Sequence, residues 1–490
     1  MVQTDGSRIA NGPSESIETR LFINGEFRPS SNGKTFSLFN PFTRNTIAEV
    51  SQASEDDTNH AVAAAKAAFP VWRDLSPSDR GAYLRKLADL IRKHHDEFAR
   101  LESFSTGKPV SAYIDGAFAA DTFAYFAEAG WTAQGTSSLN TPGSFNLTLK
   151  QPYGVIAAII PWNVPLAFFA FKVAPALAAG NTVVLKSSEK APLTSALAAR
   201  LIAEIGFPPG VINVLSGYGQ PAGSTLASHM DVRCISFTGS SFTGQKIQAA
   251  AAASNMKVVH MELGGKSPAI IYDDADLDSA AQQTQFSVQI QSGQTCMANS
   301  RIYVQETVAE TFLTLFKEKF GASAILGNPL EPTTSHGPQV DEKQYERVKS
   351  YISLGKKDGK MSMGGDAGDG YFIKPTVFED MPEDSRIVKE EVFGPVVIIM
   401  TFKTEDEAIQ KANNSEFGLY ASVFTKDLDR AVRASKLLEA GTVGVNCTSP
   451  NIAKDMPFGG YKMSGVGREG FLHSLDNFLE TKTVLIKMSS

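Results

Sequence analysis

The stretch between residues 155 and 215 constrains this chain most, because short apolar runs alternate there with helical patterns. Residues 155–160 are wholly apolar and read as a buried strand. A helical pattern over residues 166–179 follows, stopped by Gly180-Asn181. Residues 182–186 read as strand. Residues 192–205 form an amphipathic helix that Pro208-Pro209-Gly210 breaks, and residues 211–215 return as strand. This β-α-β-α-β order predicts a parallel sheet wrapped by helices, a nucleotide-binding architecture. Residues 234–237 add a strand that runs into Thr238-Gly239-Ser240 and another helix.

With 490 residues the chain exceeds a single core, so two or three domains are expected. Asn24-Gly25 signals an early hairpin. A helix is predicted from about residue 57 to 69, ending at Pro70. A second starts at Ser76-Pro77 with Ser76 as N-cap, and Leu84, Leu87, Ile91 and Phe98 share its apolar face. A second α/β region runs from near His260 to near Asn477. Residues 481–487 are rich in β-formers and could add an edge strand. Apolar residues make up 42% and charged residues 20%, as in ordinary globular proteins. A net charge of −6 with no long basic run argues against nucleic acid or an anionic membrane as partner. No apolar run is long enough to span a bilayer. Cys234, Cys296 and Cys447 cannot build a disulfide framework and fit a reducing compartment. Residues 1–18 read as a loose polar arm rather than a leader, and Lys487-Met488-Ser489-Ser490 is no peroxisomal address, so a cytoplasmic location is expected.

Three separated segments carry chemistry: Pro161-Trp162-Asn163, Glu262-Leu263-Gly264-Gly265-Lys266 and Gly293-Gln294-Thr295-Cys296. Cys296 is the candidate nucleophile. Gly293 permits close backbone approach, and Ser292-Gly293-Gln294 interrupts the preceding helical pattern. Cys296 is therefore expected at a helix start, where the thiolate is favoured. Cys234 and Cys447 lack that setting and read as structural. Glu262 precedes paired glycines that mark a close backbone approach, and a carboxylate in a partly apolar pocket can act as a base near neutral pH. Asn163 follows a buried strand at its carboxyl end, where ligands bind in such sheets, and its amide can donate to an oxyanion. These are the parts for oxidising an aldehyde through a thioester. Residues 239–244 lie between strand and helix and could offer N–H groups to phosphate, although the pattern is not a P-loop. Gly217, Gly219 and Gly223 miss the dinucleotide fingerprint by one residue. Asp273, Asp274, Asp276 and Asp278 read as an acidic helix start rather than a calcium loop, and His94-His95 as solvated. No zinc spacing is present, and no metal site is expected.

From about residue 21 to 487 the chain resembles the aldehyde dehydrogenase superfamily, the NAD(P)-dependent enzymes with a catalytic cysteine. The three segments carry the resemblance. So do Asn40-Pro41, Gly370-Tyr371-Phe372 with Pro375-Thr376, and Glu390-Glu391-Val392-Phe393-Gly394-Pro395. Pro457-Phe458-Gly459-Gly460-Tyr461-Lys462 with Ser464-Gly465 completes the set. The resemblance implies an α/β fold with a Rossmann-like cofactor domain (residues 19–133 and 153–259) and an α/β catalytic domain (260–477). A small β oligomerisation arm (134–152 and 478–490) would join homodimers or homotetramers. It implies that Cys296 attacks the aldehyde while Asn163 and the Cys296 N–H hold the oxyanion. Glu262 would then activate water to hydrolyse the thioester, and Lys172 and Glu469 would relay the proton.

The implied cofactor is NAD, with NADP possible. Lys186, Ser188 and Glu189 would bind the adenosine ribose, and Glu391 and Phe393 the nicotinamide-side ribose. The site would also take in Ile159, Ile160, Pro161, Trp162, Gly219, Gly223, Phe237, Thr238, Gly239, Ser240, Gly244, Leu263 and Gly264. Val164, Phe168, Phe171, Thr295 and Met297 would line an apolar aldehyde pocket. Two departures stand out. The family often has Lys-Pro before the ribose-binding glutamate, where this chain has Lys186-Ser187-Ser188-Glu189. The loop 448–456 contains no aromatic residue, which speaks against a quaternary ammonium substrate. Rival readings are a CoA-acylating semialdehyde dehydrogenase, which Glu262 disfavours, and a non-catalytic structural protein on the same fold.

Overall fold

The computed structural model describes residues 17–366 and 368–489, so all but the last two residues of the expected N-terminal arm lie outside it. An eight-stranded sheet runs in the order Glu26–Arg28, Leu21–Ile23, Ile212–Leu215, Thr182–Lys186, Val155–Ile159, Val232–Thr238, Val258–Glu262, Gly465–Val466. The five strands from Ile212–Leu215 to Val258–Glu262 are mutually parallel, and the flanking pairings are antiparallel. Val155–Ile159, Thr182–Lys186 and Ile212–Leu215 are buried at every residue. That burial is why they lack polar alternation: packed layers cover both faces of the sheet.

Strand order reverses inside this sheet. The chain steps outward from Val155–Ile159 to Ile212–Leu215, then returns to place Val232–Thr238 on the other side of Val155–Ile159. The crevice beyond the carboxyl ends at such a reversal is where ligands bind. Residues 160–163, 239–240 and 263–265 all leave strands at that edge.

A seven-stranded sheet is ordered Lys360–Met363, Thr376–Glu379, Val396–Phe402, Arg301–Gln305, Pro268–Ile271, Tyr420–Phe424, Thr442–Val445. It is parallel except for its first pair. A separate three-stranded sheet pairs Leu479–Lys487 with Ser144–Pro152 along their full length, with Ser137–Ser138 beyond. Residues 481–487 thus form an edge strand, and Leu485 is 74% exposed on it.

Local signals mostly behave as expected. Asn24 (φ 56°) and Gly25 (φ 82°) turn the first hairpin. Ser76 caps the helix Pro77–Lys93, accepting from the Asp79 N–H. The preceding helix does not stop at Pro70. It spans Glu55–Arg73, because Trp72 is buried two residues further and its indole N–H donates to the Leu177 carbonyl at 3.1 Å. Asp276 caps the helix Leu277–Gln289. Asp274 instead accepts from Thr425, Lys426 and Asp427 and pairs with Arg430 at 3.0 Å. His94 and His95 are half-buried rather than solvated: His94 lies 2.9 Å from Glu97, and the His95 ring packs on Tyr113. Among the described residues no helix is long and apolar enough to cross a membrane, and no cluster of three or more His, Cys, Asp or Glu is placed to hold a metal.

Candidate active site

Cys296 lies in a turn, not at a helix start. The helix Leu277–Gln289 ends, Gln291 (φ 53°) and Ser292 (φ 54°) take left-handed conformations, and the chain enters the strand Arg301–Gln305 without another helix. Gly293 (φ 77°) completes the reversal, and a Cβ there would stand 2.0 Å from the Gly394 carbonyl carbon. No helix dipole therefore acts on the thiol. Burial pushes its pKa well above the usual thiol value, and the charges of Glu262 and Glu391 push it further. That environment favours the protonated thiol over the thiolate.

Glu262 ends the strand Val258–Glu262 and is buried. Neither carboxylate oxygen has a hydrogen-bond partner among the described residues. Burial, then the charge of Glu469, raises its pKa to about 8, while Lys172 pulls the other way. A buried carboxylate left without partners is costly to keep ionised and ready to take a proton. Gly265 makes the approach to the nucleophile possible: a Cβ there would lie 2.2 Å from the Cys296 carbonyl oxygen.

Asn163 follows the strand Val155–Ile159 and is buried, with Nδ2 donating to the Gln294 carbonyl at 3.0 Å. Lys172, on the helix Pro165–Ala178, is fully buried and pairs with Glu469 at 2.6 Å and Ser236 at 3.2 Å. The site thus joins residues more than a hundred positions apart: thiol, orphaned carboxylate, side-chain amide and a buried ion pair. Val164 precedes the same helix, and Phe168 and Phe171 lie on it with ring centroids 6.3 Å apart. Met297 packs with Cys296 against Leu419, Tyr420 and Phe458. The Thr295 hydroxyl has no partner among the described residues.

The residues present fit a dinucleotide. Thr238 ends the strand Val232–Thr238 with a buried hydroxyl that has no partner among the described residues, and Ser240 opens the helix Ser241–Ala253 at the crevice. A Cβ on Gly219 would meet open space, and Gly223 lies beside the Lys186 side chain. Burial lowers the Lys186 pKa, and Glu189 opposes the shift. Glu189 borders a cleft of about 1480 Å³ with Tyr218, Asp341 and Arg347. That volume exceeds the roughly 300–1,000 Å³ of common ligand pockets. Cys296 is not on its wall. Phe393 packs edge-on against Trp162 at 5.5 Å. Glu391 accepts from the Gly265 N–H at 2.9 Å, and burial raises its pKa to about 7. Gly244 lies so close to Leu263 that a Cβ would meet it at 2.9 Å. Ile159, Ile160, Phe237 and Leu263 are buried, Pro161 is half-buried, and Ser188 is buried beside Glu189.

Two contributors escaped sequence reading. Ser236 bridges to the Lys172–Glu469 pair, and its signal was a small polar residue between the apolar Ile235 and Phe237 of a buried strand. Phe118 packs on Phe171 at 4.9 Å from the helix Asp115–Ala129. Nothing local marks it.

The family profile "Aldehyde dehydrogenase family" matches residues 27–484. An aldehyde dehydrogenase of Davidiella tassiana is 47% identical over 477 residues, covering 96% of this chain and 95% of its own. Retinal dehydrogenase 2 of Homo sapiens is 45% identical, with 97% and 94% covered. Among solved structures, the aldehyde dehydrogenase KauB from Pseudomonas aeruginosa superposes with a TM-score of 0.94 at 39% identity, covering 97% of each chain. A mutant of the P. syringae indole-3-acetaldehyde dehydrogenase AldA, in complex with NAD+ and IAA, reaches 0.95 at 38% identity, covering 97% of this chain and 98% of its own.

Proposed function

The chain belongs to the aldehyde dehydrogenase family of NAD(P)-using oxidoreductases, and from that premise we propose that it converts an aldehyde to a carboxylic acid through a thioester on Cys296. The observation that carries this reading is the meeting of a half-buried thiol, an unpartnered buried carboxylate and a buried amide donor at the strand-order reversal. Because burial and two carboxylates favour the protonated thiol, attack needs a proton acceptor, and Glu262 is the available one. The Cys296 S–H proton passes to Glu262 as sulfur bonds to the carbonyl carbon. The resulting oxyanion receives hydrogen bonds from Asn163 and the Cys296 N–H. Bound nicotinamide cofactor supplies the hydride acceptor. In the second half, Glu262 takes a proton from water as the hydroxyl adds to the thioester, and the Cys296 sulfur leaves. Before that step Glu262 gives up the thiol proton, for which the Lys172–Glu469 pair, whose charges act on Glu262, provides the onward route, and the water proton then returns to the departing Cys296 sulfur.

Lys186, Ser188, Glu189, Glu391 and Phe393 would hold the two riboses. Trp162, Ser240, Leu263 and the glycines around them would line the remaining length. NAD is the preferred cofactor in this reading, because the Glu189 carboxylate matches ribose hydroxyls and repels a 2′-phosphate. Lys190, the neighbouring cation, is engaged by Asp341 at 2.7 Å. The substrate is an aliphatic or aromatic aldehyde received among Val164, Phe168, Phe171, Thr295 and Met297. Residues 19–133 and 153–259 would form the cofactor domain, 260–477 the catalytic domain, and 134–152 with 478–490 an arm joining homodimers or homotetramers.

The deciding measurement is NADH absorbance with NAD and a simple aldehyde, with and without CoA. Turnover independent of CoA and lost in Cys296→Ala, with NAD binding kept, is expected. A CoA requirement supports the acylating alternative. Retained turnover in Cys296→Ala removes the nucleophile.

A further inference from the structure

The amide of Asn163 is held from behind by the loop that carries the nucleophile. Its Nδ2 donates to the Gln294 carbonyl at 3.0 Å, and both residues are buried. A carbonyl oxygen only accepts, so the contact decides which way the amide faces: nitrogen towards Gln294, one N–H engaged, the second free to donate. The Gln294 side chain anchors that carbonyl in turn. Its Oε1 accepts from the Val340 N–H at 2.9 Å, and its Nε2 donates to the Gln291 carbonyl at 3.0 Å and approaches that of Pro338 at 3.5 Å. Two more bonds join the same segments: Ser292 Oγ to the Gly337 carbonyl at 2.7 Å, and Gln339 Nε2 to the Ser292 carbonyl at 3.1 Å. The 337–340 segment is itself wedged, since a Cβ on Gly337 would stand 2.0 Å from the Gly107 carbonyl oxygen.

We propose that Gln294 is a positioning residue of the oxyanion site: its side chain pins the nucleophile loop to residues 338–340, so that its carbonyl holds the Asn163 amide in the donating orientation. The inference rests on the reading of Asn163 as an oxyanion donor. Gln294 acts through Asn163 and need not touch substrate. Its side chain spends its hydrogen bonds on backbone groups of the loop and the 338–340 segment. Without the Val340 bond, the 294 carbonyl drifts and the amide is free to rotate its oxygen towards the developing charge.

Gln294→Met tests this, because it keeps the volume and removes the hydrogen bonds. Rapid mixing with NAD and benzaldehyde, protiated or deuterated at the aldehyde carbon, reads the acylation half. The NADH burst rate should fall by about 100-fold, the loss typical of a roughly 1 Å misplacement, with a deuterium isotope effect on the burst. Alkylation of Cys296 by iodoacetamide should keep the parent rate, because the thiol itself is not misplaced. Asn163→Ala combined with Gln294→Met should be no slower than Asn163→Ala alone, because both remove one interaction. A parent burst rate in Gln294→Met beside a crippled Asn163→Ala overturns the inference alone. So does a double variant whose losses multiply, or alkylation that collapses together with turnover. An Asn163→Ala variant with parent acylation overturns the reading beneath it.

Discussion

Glu262 shows how environment, more than residue type, sets a chemical role. Burial and the Glu469 charge hold its pKa near 8, so near neutrality much of the group carries a proton that the unfolded chain would have lost. The base form grows as pH rises, so deacylation should accelerate up to about pH 8 and level off above it. Glu262→Gln should flatten that profile and slow both the NADH burst and the phase after it, because one carboxylate takes the thiol proton and then the water proton. Equal steady-state rates for variant and parent would count against the role. The stability consequence has a definite sign. A raised folded-state pKa contributes stability below the unfolded value of 4.5, and that stability is lost as pH rises towards 8. The Tm of Glu262→Gln relative to the parent should therefore climb between pH 5 and 9. Glu189 makes a second residue-scale prediction. Glu189→Gln removes the charge that opposes a 2′-phosphate, so the ratio of kcat/KM for NAD over NADP should shrink. A parent that prefers NADP would refute the assignment.

The helix Pro165–Ala178 serves several ends because its faces meet different surroundings. Lys172 reaches the buried pair with Glu469, and its ammonium lies 5.4 Å from the Phe168 ring centroid. Phe171 meets Phe118 on the helix Asp115–Ala129. With Met297 beyond the nucleophile, the wall near Asn163 is apolar and built from side chains on firmly packed helices. Each methylene buried there should improve transition-state binding by up to about 0.8 kcal/mol until the space is filled. Specificity constants should therefore rise from acetaldehyde to hexanal and remain high for benzaldehyde. A flat or falling series, or a maximum at betaine aldehyde, would show that this wall does not receive the substrate chain.

At the scale of the molecule, the strand Leu479–Lys487 stands out as a long, largely exposed edge. It pairs on one side with Ser144–Pro152 and carries Leu485 and Ile486 into solvent. Unpaired edges with exposed apolar residues favour association. Sedimentation of the parent should reveal a homodimer or homotetramer. Leu485→Asp should shift it towards smaller species, because a buried charge without a partner opposes the interface. Unchanged sedimentation in that variant would move the interface elsewhere.

The alternation of strand and helix, the reversal-point segments and the three chemical motifs were legible in the residues alone. The signals there are local: runs of apolar residues, prolines in first turns, and glycines where backbone must turn. The sequence also marked Asn24-Gly25 and the Ser76 cap, each resolved within a few residues. Tertiary structure decided the rest. Trp72 carries its helix through Pro70 because a distant carbonyl awaits its indole. Cys296 stands in a turn because Gly293 must fit against Gly394. Lys172 meets Glu469 across 297 residues, and the Asn163 amide takes its orientation from Gln294, 131 positions away. Charge state follows the same rule. Desolvation and through-space charge depend on what the whole fold packs around a group, and no window of sequence contains that information.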